Sequence, residues 1–282
     1  MLILKLSCPD QHGIVAKIAN YIASHNGNLL EFNQFTNTFD SKFFARLEID
    51  TADIDVEINS FITGFNVLGE ALKAEWHFRH SPFKLRTVIL VTKTTHCLNE
   101  ILWRTSESDL PLEITSIIGN RDHCQAIAEK EGIPFHHIDM DGDNKNAGFQ
   151  QIAQILRDEK VQLGILARFM QILPNWFCDE FSGKLINIHH SFLPAFIGAN
   201  PYRQAYNRGV KLIGATCHYV TADLDAGPII EQEVKRVLHS HSPQDLMRLG
   251  RDCERSALAR GIRYHAYDRT IIDGNRAIVF ED

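Results

Sequence analysis

The run Val161-Gln162-Leu163-Gly164-Ile165-Leu166-Ala167 constrains the fold of this chain more than any other stretch. It is apolar at nearly every position, so a strand made from it cannot show either face to water. Strands buried on both faces belong to parallel sheets covered by helices on each side. The surroundings agree. Residues 87 to 91, 112 to 118 and 134 to 138 read as strands, while helical patterns run over about 96 to 104, 122 to 131 and 145 to 158. Repeated strand-helix units predict a doubly wound, mostly parallel α/β sheet, with ligand-handling loops at the carboxyl ends of its strands.

The first 80 residues follow a different plan. Leu2, Leu4 and Leu6 alternate as a strand, and Pro9-Asp10-Gln11-His12-Gly13 turns the chain into a helix whose face is Ile14, Val15, Ile18 and Ile22. That helix stops near Asn26-Gly27. Two strands follow, in which Phe43, Ala45, Leu47 and Ile49 alternate with Phe44, Arg46 and Glu48, the pattern of a sheet with one covered face. Ile54, Ile58, Phe61, Ile62 and Phe65 mark a second helix, and residues 74 to 79 a closing strand. The order βαββαβ is ferredoxin-like. Arg79-His80-Ser81-Pro82-Phe83-Lys84-Leu85 is short, polar and proline-bearing, so the expected domains are 1–80 and 86–282, joined by a linker at 81–85.

Composition removes several function classes. A net charge of −6 disfavours nucleic acid as a partner, because neutralising phosphates needs a basic face. No apolar run approaches a membrane span, so no membrane association is expected. Six cysteines without a C-x-x-C pair fit reduced thiols in the cytoplasm. The 14 histidines have no carboxylate or cysteine at a familiar ligand spacing, and no metal is expected.

Chemistry concentrates in Leu185-Ile186-Asn187-Ile188-His189-His190-Ser191-Phe192-Leu193-Pro194 and in Leu224-Asp225-Ala226-Gly227-Pro228. If residues 185 to 188 form a strand, Asn187 and His189 point to the same side as it ends. A turn at Gly227-Pro228 can return Asp225 to that end. An amide, an imidazole and a carboxylate suit acyl transfer through a tetrahedral intermediate: Asn187 faces the oxyanion, His189 relays a proton and Asp225 orients it. Ser191 has no G-x-S-x-G elbow, so direct transfer to an amine or to water is the simpler chemistry. On spacing alone, a turn-capping Asn187, an interior His189 and an Asx-turn at Asp225 fit equally well.

These two blocks resemble the signature of the folate-dependent formyltransferase superfamily, which includes glycinamide ribonucleotide transformylase and methionyl-tRNA formyltransferase, over roughly residues 86 to 282. The resemblance implies catalytic roles for Asn187, His189 and Asp225, and a folate pocket at Leu166, Phe169, Met170, Ile172, Leu173 and Thr221. His190 stands where many relatives have proline. Cys8 to Ile18 resembles the ACT regulatory module, which implies either dimerisation or an amino-acid effector, glycine or methionine, near Asp10, Gly13 and Asn28. Val91-Thr92-Lys93-Thr94-Thr95-His96-Cys97-Leu98 has no glycine where the transformylase cradles a phosphate, so water is the expected acceptor. The whole layout is similar to the formyltetrahydrofolate deformylase family. That similarity implies hydrolysis of 10-formyltetrahydrofolate to tetrahydrofolate and formate, which balances folate pools and supplies formate for purine synthesis. It also implies no metal or redox cofactor, and a dimer or tetramer. The alternatives are formyl transfer to a small amine and a non-catalytic amino-acid or folate sensor.

Overall fold

The computed structural model describes residues 1–193 and 201–281; Pro194 of the signature and Asp282 of the expected second domain lie outside the described residues. The chain divides into two units. One holds Met1–Phe83, Asp268–Ile271 and the chain from Ile278 on; the other holds Lys84–Tyr267 and Ile272–Ala277. The last residues therefore side with the first unit, where the sequence reading kept them in the second.

The first unit runs β1 (Leu2–Pro9), α1 (Ile14–Ser24), β2 (Asn28–Asn37), β3 (Lys42–Asp50), α2 (Ile58–Leu72) and β4 (Glu75–His80). Its antiparallel sheet has the order β2-β3-β1-β4. Leu2, Leu4 and Leu6 pack with Ile14, Ile18, Ile22, Phe61 and Phe65, each buried side chain contributing about 1.5–3 kcal/mol. Val15 departs from the expected helix face and is exposed, and Ile54 precedes α2 instead of joining it. The expectation of one covered sheet face also fails, since Phe44 and Arg46 are each 1% exposed. The returning tail meets that second face. Lys5 Nζ lies 2.9 Å from Asp268 and donates to the Thr270 carbonyl at 3.1 Å, and Arg79 meets Asp268 at 2.8 Å. A buried guanidinium is tolerated only when paired, and Arg46 reaches Glu31 at 2.7 Å and Glu48 at 2.6 Å.

The second unit opens with β5 (Leu85–Val91), α3 (His96–Ser106), β6 (Leu112–Gly119), α4 (Gln125–Lys130), β7 (Phe135–His137) and α5 (Lys145–Asp158). It continues through β8 (Leu163–Leu166), α6 (Asn175–Glu180), β9 (Leu185–His189), α7 (Pro201–Arg208), β10 (Leu212–Tyr219), β11 (Ile229–Arg236) and α8 (Pro243–Ala266). The sheet order is β11-β10-β9-β8-β5-β6-β7, parallel from β9 to β7 and antiparallel at β10 and β11. The apolar run at 161 to 167 gives a central strand, shorter than the run because Val161 N–H still bonds the Leu156 carbonyl at the end of α5. The chain leaves β5 toward β6 and β7, then returns to add β8 and β9 on the other side. The carboxyl ends of β5 and β8 thus flank the switch point, where folds of this class hold ligands.

Candidate active site

β9 delivers Asn187 and His189 to one side at its carboxyl end, and β10 places His218 directly across from Asn187. The turn after β10 brings Asp225 back to them in a left-handed conformation, φ 54°. Gly227 permits that return: a Cβ there would stand 1.9 Å from the Tyr219 carbonyl oxygen, far inside contact distance. His189 Nδ1 donates toward Asp225 Oδ2 at 3.2 Å, and His189 Nε2, buried, has no hydrogen-bond partner among the described residues. Such an orphaned nitrogen costs stability and is expected where a site needs it free.

His218 is the residue that sequence reasoning missed. Its Nδ1 faces the Tyr219 carbonyl at 2.9 Å and so must carry the proton; Nε2 then accepts from Asn187 Nδ2 at 3.2 Å. That bond fixes which end of the Asn187 amide is nitrogen and leaves its second N–H for an oxygen in the cleft. The available signal was His218 lying two positions before Val220 on a strand that feeds the Asp225 turn, but without the β9–β10 register nothing tied it to Asn187.

The electrostatics are consistent with this assignment of protons. Burial pushes His218 down from its ordinary value, against the upward pull of its bond to the Tyr219 carbonyl and of Asp225. Burial works to raise the Asp225 carboxyl, but the hydrogen bond and charge of His189, with His218 and His190 behind it, hold it below the usual range. His190 falls to about 4, through burial first and then the charges of Arg168 and His189.

These groups line a cleft of about 280 Å³, and all six expected pocket residues line it too. Leu166, Phe169 and Leu173 are buried in its wall, whereas Met170 and Ile172 are more than half exposed, at 56% and 59%. Thr221 closes its own turn by donating to the Asp223 carbonyl at 3.1 Å. The expected effector residues are not gathered in one chain. Gly13, φ 82°, precedes α1 near the end of β1, whereas Asn28 pairs with Asp50 at the opposite end of the sheet from the Pro9–Lys42 pair beside Asp10.

A second polar cluster fills the switch point. Glu254 of α8, 1% exposed, takes His96 Nε2 at 2.8 Å and the Tyr202 hydroxyl at 2.6 Å, with Arg168 Nε at 3.4 Å. Burial opposes its charge, and His96, Arg168 and Tyr202 together still hold it below the carboxylate norm. His96, Cys97 and Glu254 place three ligand-type atoms within 4.8 Å of one another. The Arg168 guanidinium already balances that carboxylate, and burial and Glu254 push the Cys97 thiol well up, so the set is a poor host for a cation.

The class defined by this fold and site is a formyltransferase-type α/β domain: residues 85–262 match the family model described as formyl transferase. Relatives named formyltetrahydrofolate deformylase share 42% identity in Bacillus subtilis and 43% in Synechocystis sp., over 98% of this chain and 93% and 97% of theirs. A formyltetrahydrofolate deformylase structure from Pseudomonas syringae superposes with a TM-score of 0.96 at 41% identity, covering 99% of this chain and 94% of that one. A glycinamide ribonucleotide transformylase from Symbiobacterium toebii reaches a TM-score of 0.67 at 30% identity, covering 73% of this chain and 97% of that one. The chain belongs to the formyltetrahydrofolate deformylase family.

Proposed function

We propose that this chain hydrolyses 10-formyltetrahydrofolate to tetrahydrofolate and formate, and that Asn187, His189 and Asp225 carry the reaction. The observation that carries the reading is the similarity to deformylases along 98% of the chain, where the transformylase similarity covers 73%. The folate ring system enters the cleft lined by Leu166, Phe169, Met170, Ile172, Leu173 and Thr221. Asn187 donates its free N–H to the formyl oxygen, a bond that strengthens as the oxyanion forms. Water attacks the formyl carbon and gives its proton to His189 Nε2. The proton passes to the folate N10 as the C–N bond breaks, and formic acid then ionises. Asp225, ionised, orients His189 and steadies the imidazolium. No metal or redox cofactor is needed.

The first unit is the place for a free amino-acid effector, with glycine and methionine to be tried first, and for pairing into a dimer or tetramer. Light scattering and calorimetric titration with each amino acid check these two points. Six buried free cysteines support a reducing, cytoplasmic setting. Among the described residues no helix is long and apolar enough to cross a membrane. The activity is tested by mixing the protein with 10-formyltetrahydrofolate in amine-free buffer. Formate and tetrahydrofolate appear in equal amounts; strict dependence on an added amine would overturn the reading in favour of formyl transfer.

A further inference from the structure

Hydrolysis needs a water held against the formyl carbon, and water has two O–H groups to place. His189 Nε2 takes one. Asp225 meets His189 at the other ring nitrogen, Nδ1, at 3.2 Å, and so stands away from a water held at Nε2. Among the polar side chains of the cleft, which also include Arg168, Gln171 and Thr221, the one next to His189 in the chain is His190. Its ring centroid lies 5.1 Å from that of His189 at an interplanar angle of 31°, and 6.4 Å from the Tyr202 ring on the side of the Glu254 cluster. The backbone after it is pinned: the Thr216 hydroxyl donates to the Ser191 carbonyl at 3.0 Å and accepts from Leu193 N–H at 3.1 Å. His190 has no hydrogen bond to protein among the described residues.

We propose that His190 is a second catalytic histidine, the acceptor that holds the attacking water while His189 takes its proton. The inference rests on the hydrolytic reading above and adds a residue to it. An imidazolium has no acceptor, so His190 works only when neutral. The groups facing it are Arg168, His189, Tyr202, Glu254 and Asp225. Burial, Arg168 and His189 keep it neutral against the opposing pull of Glu254 and Asp225, down to about 4. Arg168 is set for this by its backbone. It adopts φ 66°, a left-handed conformation uncommon for arginine, and is anchored on Glu254, which His96 and Tyr202 hold in turn. The switch-point cluster is thereby a buttress for His190.

The test compares His190→Ala and His190→Asn with the unaltered protein, following formate release and, separately, tetrahydrofolate binding. The unaltered protein must first release formate without an amine; if it does not, the hydrolytic reading itself fails. Given that release, His190→Ala lowers kcat about 10- to 100-fold with KM within about 3-fold, the size expected when a reactant loses its position. His190→Asn, which keeps an acceptor, loses less. With hydroxylamine added, a larger share of formyl goes to hydroxylamine in His190→Ala than in the unaltered protein, because only the water has lost its holder. A purely structural role does not move that share. Arg168→Met raises the pH at which kcat falls on the acid side, since removing the cation eases protonation of His190. An unchanged kcat in His190→Ala, or an unchanged share to hydroxylamine, overturns the proposal.

Discussion

Two carboxylates of the second unit, Glu254 buried and Asp225 half-buried, show how the same group serves chemistry in one place and architecture in another. Glu254 has three partners, His96, Tyr202 and Arg168, and no function left over for a ligand. Asp225 sits in a turn instead of a long helix, faces two histidines, and leaves the far nitrogen of His189 unpartnered. Saturation marks scaffold; an incomplete network aimed into a cleft marks a site.

Breaking each carboxylate separates the two roles. Asp225→Asn removes the charge behind His189 and lowers kcat about 1000-fold, with a smaller loss of stability than Glu254→Ala, as steady-state kinetics and thermal unfolding will show. Glu254→Ala does the reverse. It strands a guanidinium, an imidazole and a hydroxyl in the interior and lowers stability by about 3 kcal/mol, measured by urea unfolding. His218→Phe keeps an aromatic ring but frees the Asn187 amide to flip, and kcat falls about 10-fold without loss of folate binding.

The smallest effect is on pH dependence. A carboxylate held low when folded contributes stability that is complete above its unfolded value, about 3.9, and is lost as pH falls through the lower folded value. Asp225→Asn therefore flattens the decline of stability below about pH 4. His190 has its folded value depressed as a base, so stability falls as pH drops from about 6.5 toward about 4, and His190→Asn flattens that earlier range. Unfolding midpoints between pH 7 and 3 separate the two.

What the sequence made legible follows from which interactions are local. The run at 161 to 167 announces a central parallel strand because burial on both faces shows in composition, and Asn187 and His189 share a side because strand alternation is a property of the backbone. β10 and β11 escaped the sequence reading: β11 is an edge strand carrying Glu231, Glu233, Lys235 and Arg236, charges that guard an edge and blur the strand signal. His218 depends on register between β9 and β10, which no spacing encodes. The ion pairs on the second face of the first sheet depend on Asp268 and Arg269 returning to Lys5, Arg79 and Glu31 from the far end of the sequence.

Oxygen isotope tracing tests the hydrolytic account most directly. With 10-formyltetrahydrofolate turned over in ¹⁸O-water, free of amines, the account predicts formate carrying solvent oxygen, released one for one with tetrahydrofolate. Formate that lacks the label, or no formate until an amine is supplied, would contradict it.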